Sequence, residues 1–266
     1  MKQQLVFVKI GGSYITDKSK PYSIHSKKIK KLVYDLGKVV QDNPNIQFIF
    51  GNGAGSFAHV PAKKYKIQEG ITDMNGYLGM CHVAYDAQML NLILSKEFLN
   101  NNVSVFPVHP SSCMTLLDKS VKSIYSQSIR ALVNANIIPF IHGDIVVDEI
   151  RGAYIYSTEA LFDVLIQEFE TAYDISHIIH LTVVEGVFGP NNKVIPEIDS
   201  NNISEVEQYL INAEGYDVTG GMAHKIHQSL EYSKKGIQTY IIQGNQANTI
   251  SKILSNIQIE TGTKIS

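Results

Sequence analysis

The sequence predicts an α/β fold in which a mainly parallel sheet carries helices on both faces. Three observations point there: six short apolar runs rich in β-branched residues recur along the chain, amphipathic stripes lie between some of them, and small-residue loops directly follow several of the runs. The first run, Leu5 to Ile10, is almost continuously apolar, as a strand buried on both faces should be. After Ser26, Ile29, Leu32, Val33, Leu36 and Val40 share one helical stripe while the lysines fall elsewhere, which predicts an amphipathic surface helix. Ile46 to Phe50, Val103 to Val108, Ile137 to Ile141 and Ile178 to Val183 repeat the strand pattern. Met222, Ile226 and Leu230 mark a second helical stripe, and Thr239 to Ile242 is the last strand of the series. In such a sheet, ligands gather at the carboxyl ends of the strands, so the chemistry is expected in the loops there.

Composition narrows the function classes. The 266 residues suffice for a sizeable core. Lys and Arg total 23 against 25 Asp and Glu, so no global field draws the chain to nucleic acid or an anionic membrane, and an anion site must be local. Cys81 and Cys113 are too few for a disulfide framework and lack metal-site spacing, which fits a reducing cytoplasm. The opening Met-Lys-Gln-Gln-Leu-Val-Phe-Val-Lys has too short an apolar run for a signal peptide, and no segment is long enough to span a bilayer. A cytoplasmic protein is expected.

The loops carry the candidate chemistry. Lys9-Ile10-Gly11-Gly12-Ser13 ends the first run; its glycines let backbone N–H groups approach an anion and Lys9 adds charge, although a plain tight turn uses the same residues. It is neither a Walker loop, lacking Gly-Lys-Ser/Thr, nor a Rossmann fingerprint. Gly51-Asn52-Gly53-Ala54-Gly55-Ser56-Phe57-Ala58-His59 ends the second run and offers amides to a second phosphate. His59 is either a donor to an oxyanion or a structural histidine. Asp217 to Ile226 places Gly220 and Gly221 at the start of the late helix with Lys225 one turn inside; the alternative is a capped helix with an exposed lysine. Pro110-Ser111-Ser112 and His142-Gly143-Asp144-Ile145-Val146 follow two further strands, where Asp144 either orients a lysine or a metal-bound nucleotide or is an ordinary turn residue.

Together these segments resemble the amino acid kinase family nearly end to end, and within it the archaeal branch whose acceptor is isopentenyl phosphate. The resemblance rests on Lys9 to Ser13 with Thr16-Asp17-Lys18 and Pro21-Tyr22-Ser23-Ile24, on Gly55-Ser56-Phe57-Ala58-His59, and on Pro110-Ser111-Ser112, His142 to Val146, Asp217 to Lys225 and Gly244-Asn245-Gln246-Ala247-Asn248, all in order. It implies a three-layer α/β/α sandwich around a mainly parallel sheet: one domain over residues 1–266, with an acceptor-binding lobe near 1–173 and a nucleotide-binding lobe near 174–266. It implies ATP with Mg²⁺ as donor, a small acceptor such as isopentenyl phosphate, and a homodimer. Lys9, Lys18 and Lys225 would surround the transferring phosphoryl group. Gly11, Gly12, Ser13, Gly55, Thr182, Gly220 and Gly221, with Lys225, would hold the nucleotide. Gly53, Ala54, His59, Gly143 and Asp144 would hold the acceptor, His59 being the residue that separates phosphate and phosphonate acceptors from carboxylate ones. No side chain is expected as a metal ligand, and Tyr77 to Tyr85 resembles the helix that lines the apolar acceptor pocket.

The chain also departs from that family's pattern. Asn52 stands for a usual histidine and Ala58 for a usual glycine. Val183 replaces a carboxylate beside the nucleotide, and Glu159 replaces an aspartate that positions the lysines, so its longer side chain is expected to move the carboxylate. Two other functions stay open: a phosphonate kinase resembling fosfomycin kinases, and a nucleotide- or metabolite-binding regulator with little activity.

Overall fold

A computed structural model of the protein describes residues 2–212 and 221–266. Its strands are β1 (Gln3–Ile10), β2 (Gln47–Asn52), β3 (Val105–Pro107), β4 (Met114–Leu117), β5 (Ser120–Ile124), β6 (Ile138–His142), β7 (Asp144–Asp148), β8 (Gly152–Tyr156), β9 (Tyr173–Thr182), β10 (Glu197–Ile198), β11 (Gln238–Gln243) and β12 (Thr263–Ile265). Its helices are α1 (Gly12–Ile15), α2 (Ser26–Asp42), α3 (His59–Lys64), α4 (Met74–Asn100), α5 (Gln127–Asn134), α6 (Thr158–Phe169), α7 (Ile203–Asn212), α8 (Gly221–Ser233) and α9 (Ile250–Leu254).

Eight strands form the main sheet in the order β10-β12-β11-β9-β1-β2-β6-β3. From β11 to β3 every neighbouring pair is parallel; β12 runs antiparallel to β11. Central β1 shows why both faces need cover. Successive strand residues point to opposite sides. Val6, Val8 and Ile10 enter one core with Leu32 and Leu36 of α2 and Leu94 and Phe98 of α4. Leu5 and Phe7 enter the other with Leu161, Phe162 and Leu165 of α6. Lys9 shares that second face at the carboxyl end of β1. α6 lies so close to β2 that a Cβ on Gly51 would stand 2.6 Å from Thr158 Cγ2. The layers are thus α/β/α, and β1–β9 pairing carries one sheet across residue 173.

Two features escape the sequence reading. A second sheet, β5-β4-β7-β8, pairs mostly antiparallel. Its turns are closed by buried Asp148, whose carboxylate accepts backbone N–H groups from Asp118, Lys119, Ile150 and Arg151 at 2.6 to 3.1 Å. Burial alone would raise the Asp148 pKa, but these bonds outweigh it and lower it. The other is α4, 27 residues long, capped by Asp73 accepting from Gly76 N at 2.8 Å. Among the described residues, no helix is long and apolar enough to cross a membrane.

Candidate active site

The site is built by three strands ending in register. Gly11 N donates to Leu181 O at 2.8 Å, Gly53 N to Ile10 O at 3.0 Å and Gly143 N to Asn52 O at 3.1 Å. Each turn therefore continues its neighbour's ladder by one bond, and the loops after β1, β2 and β6 leave the sheet along one edge. The first two then interlock. A Cβ on Gly12 would lie 2.4 Å from Gly55 N, and Gly55 has φ +57°, a conformation that favours glycine. Buried Thr16 ties them: its Oγ1 donates to Gly12 O at 2.7 Å and accepts from Ser56 N at 2.9 Å.

Beside this contact lies a cavity of about 510 Å³ whose wall includes Gly11, Gly12, Ser13, Gly53, Ala54, Gly55, His59 and Thr182. Lys9, Lys18 and Lys225 line it together, from β1, the turn after α1, and α8. Glu159, in the first turn of α6, gathers two of them: its Oε1 is 2.8 Å from Lys9 Nζ and 3.5 Å from Lys225 Nζ. Ser157 caps α6 by accepting from Ala160 N at 3.1 Å, and Thr158 Oγ1 anchors it to Asn52 O at 2.7 Å. Burial by itself would raise the Glu159 pKa, but Lys9 and Lys225 hold it well below the usual carboxylate range. Burial lowers the Lys225 pKa, opposed by Glu159 and reinforced by Lys9. The longer Glu159 side chain therefore reaches both lysines.

His59 begins α3 and borders both this cavity and a more open cleft of about 820 Å³ lined also by Lys18, Lys63 and Lys64. It is exposed at the rim, yet partial desolvation, then the Lys18 charge, lowers its pKa, favouring the neutral ring at pH 7. Thr182 forms a local turn, its Oγ1 donating to Val184 O at 2.8 Å. Val183 is exposed in the cavity wall and brings no charge.

Gly143 and Asp144 differ from expectation: they stand behind the cavity rather than in its wall. Gly143 faces Thr158, and the buried Asp144 carboxylate accepts from Ser111 N at 3.0 Å and Ile145 N at 2.8 Å, so it braces two loops. Gly221 opens α8, whereas Gly220, with Asp217, Val218 and Thr219, lies outside the described residues. Asn52, the departure from histidine, is buried and accepts from Asn91 Nδ2 at 2.8 Å. Val83 and Ala87 of α4 join Ala58, Ala62 and Ile145 in an apolar cluster that meets the cavity through Ala54. The sequence reading used Thr16 only as part of the resemblance, without its bonding role, and missed buried His180, which pairs in register with Lys9 across β1 and β9.

The family model described as the amino acid kinase family matches residues 4–243. An isopentenyl phosphate kinase of Methanocaldococcus jannaschii is 32% identical over 256 residues, covering 94% of this chain and 95% of that one. One from Methanothermobacter thermautotrophicus is 25% identical, covering 98% of each. A solved isopentenyl phosphate kinase structure superposes with a TM-score of 0.79 at 20% identity, over 98% of this chain and 100% of that one, and so shares the fold.

One turn after Glu159, Asp163 accepts a hydrogen bond from Gln228 Nε2 of α8. Desolvation pushes its pKa up to about 7. Below the unfolded value near 4, folded and unfolded chains are both protonated there; between about 4 and 7 the unfolded chain ionises while the native state keeps its proton, so the native state bears a cost that grows across that window and stays constant above it. Asp163→Asn should therefore stabilise the protein by about 1–3 kcal/mol at pH 8 and hardly at all at pH 4. Urea unfolding at the two pH values measures this, and an equal effect at both would disprove the titration.

Proposed function

Because the chain belongs to the amino acid kinase family, we propose that it transfers the terminal phosphoryl group of Mg·ATP to isopentenyl phosphate, forming isopentenyl diphosphate and ADP. The observation that carries this reading is the convergence of Lys9, Lys18, Lys225 and His59 on one glycine-walled cavity. An acceptor phosphate oxygen bonds to the γ-phosphorus as its bond to the β,γ-bridging oxygen breaks. That reaction asks of a protein alignment and neutralisation of negative charge rather than a covalent intermediate. Lys9 and Lys225, held by Glu159, and Lys18 from the turn after α1 supply the charge; His59 donates to the acceptor phosphate. The acceptor is inferred from His59, from relatives of that name matching over nearly their whole length, and from the apolar cluster reached through Ala54.

The close cradle at Gly11, Gly12 and Gly55, where added Cβ atoms would collide, fits phosphates approaching backbone amides. Mg²⁺ would come in on the nucleotide phosphates, since this cation keeps several of its waters and is commonly held through phosphate oxygens. Residues 1–173 would bind the acceptor and 174–266 the nucleotide, with Val183 contributing no carboxylate there. For the homodimer, support comes from α4: Leu78, Tyr85, Leu92 and Leu99 fall seven residues apart on one stripe, each about half exposed or more.

His59→Ala should leave ATP affinity nearly unchanged and lower turnover of isopentenyl phosphate about tenfold to a few hundredfold, the worth of one charge-assisted hydrogen bond. His59→Gln should recover part. Steady-state kinetics with isopentenyl phosphate and with a phosphonate acceptor are the check; an unimpaired His59→Ala enzyme on both would remove the phosphate-reading role, and faster wild-type turnover of the phosphonate would favour that acceptor. Leu92→Glu should convert dimer to monomer in sedimentation experiments. An unchanged sedimentation coefficient would exclude the α4 stripe as the interface.

A further inference from the structure

The floor between α6 and α8 is polar where a core would be apolar. α6 packs through Leu161, Phe162 and Leu165 in a cluster that α8 joins near its end with Tyr232, whereas Ile226, nearer the cavity, packs with Ile241 of β11 in another apolar group. Across the seam, the helices meet through Lys225 on Glu159 and Gln228 on Asp163. Beneath them, on β9, lies His180, fully enclosed. Its Nδ1 is buried with no hydrogen-bond partner, as is Oγ1 of Thr239 on the adjoining strand. His180 faces Lys9 from β1, Glu159 from α6 and Lys225 from α8, and desolvation, then Lys9, drives its pKa down to about 3, so the ring is neutral at working pH. Leaving a buried nitrogen unsatisfied is destabilising, and a leucine in this otherwise apolar stretch, Ile178-Ile179-His180-Leu181, would avoid that cost.

We propose that His180 is a positioning residue for phosphoryl transfer: it is the reserve hydrogen-bond partner of the Lys9–Glu159–Lys225 group, engaged when the lysines turn toward the phosphates. The proposal rests on the kinase reading above. While both lysines hold Glu159, the carboxylate is neutralised; once either points at the transferring group, a buried carboxylate loses part of its compensation. A neutral imidazole offers an N–H at that moment without adding a charge that would compete with the lysines.

The test compares wild type, His180→Leu and His180→Asn. His180→Leu should fold with an unchanged or higher melting temperature, yet lose about tenfold or more in kcat, with KM for ATP and acceptor within about twofold. His180→Asn, which restores an N–H donor, should regain much of the loss. ATP hydrolysis without acceptor is followed in the same three proteins and should show the same order. Failure of the wild type on isopentenyl phosphate would count against the acceptor reading alone, because the hydrolysis series still reports on His180. Wild-type kcat in His180→Leu, or no recovery in His180→Asn at equal melting temperature, would overturn the proposal.

Discussion

One carboxylate oxygen, Glu159 Oε1, stands between the ammonium groups of Lys9 and Lys225, and the site depends on that contact. Without it, two cations from different elements, one buried and one partly buried, would repel each other beside the cavity they line. With it, the end of β1, the start of α6 and the first turns of α8 are held at one point. Such a group is a poor source of net stability, since removing three charged atoms from water costs about as much as their attraction returns. Its value is positional: the lysines are placed before any phosphate arrives.

The sheet supplies the other half of the geometry. Because β9, β1, β2 and β6 are parallel neighbours, their carboxyl ends open on the same edge, and each glycine turn borrows the next strand's carbonyl. The loops can then approach within a distance that no side chain would tolerate at Gly12 or Gly55. Thr16 fixes their spacing, and Thr158 fixes α6, hence Glu159, to the end of β2. Both sides of the cavity are thereby set by one continuous hydrogen-bonded frame.

How much of this was legible in the sequence follows from the range of the interactions. Strands buried on both faces, such as Leu5 to Ile10, announce themselves as apolar runs, and α2 as a stripe. α4 does not, because Leu78, Tyr85, Leu92 and Leu99 are exposed on the side opposite its core residues, which erases the amphipathic period. The four-stranded sheet was hidden because its strands are short and its turns rely on Asp148, a contact invisible to local patterning. Lys9, His59 and Lys225 were readable through the glycine-rich segments around them, and Lys18 through the resemblance of Thr16-Asp17-Lys18. His180 was not, since its importance comes from register with Lys9, 171 positions away. Asp144 shows the converse limit: its place after a strand was read correctly, but the sequence does not reveal that Ser111 and Ile145 amides occupy its carboxylate.

The most direct test is a single-turnover measurement of phosphoryl transfer from ATP to isopentenyl phosphate by the wild type and by Glu159→Gln, at enzyme excess and saturating nucleotide. The amide keeps the size of the side chain but removes the charge that gathers Lys9 and Lys225, and mispositioning of about 1 Å costs roughly a hundredfold in rate. Rapid formation of isopentenyl diphosphate by the wild type, with transfer slowed about a hundredfold in a folded, ATP-binding Glu159→Gln protein, is the expected result. Equal rates in the two proteins would contradict the account.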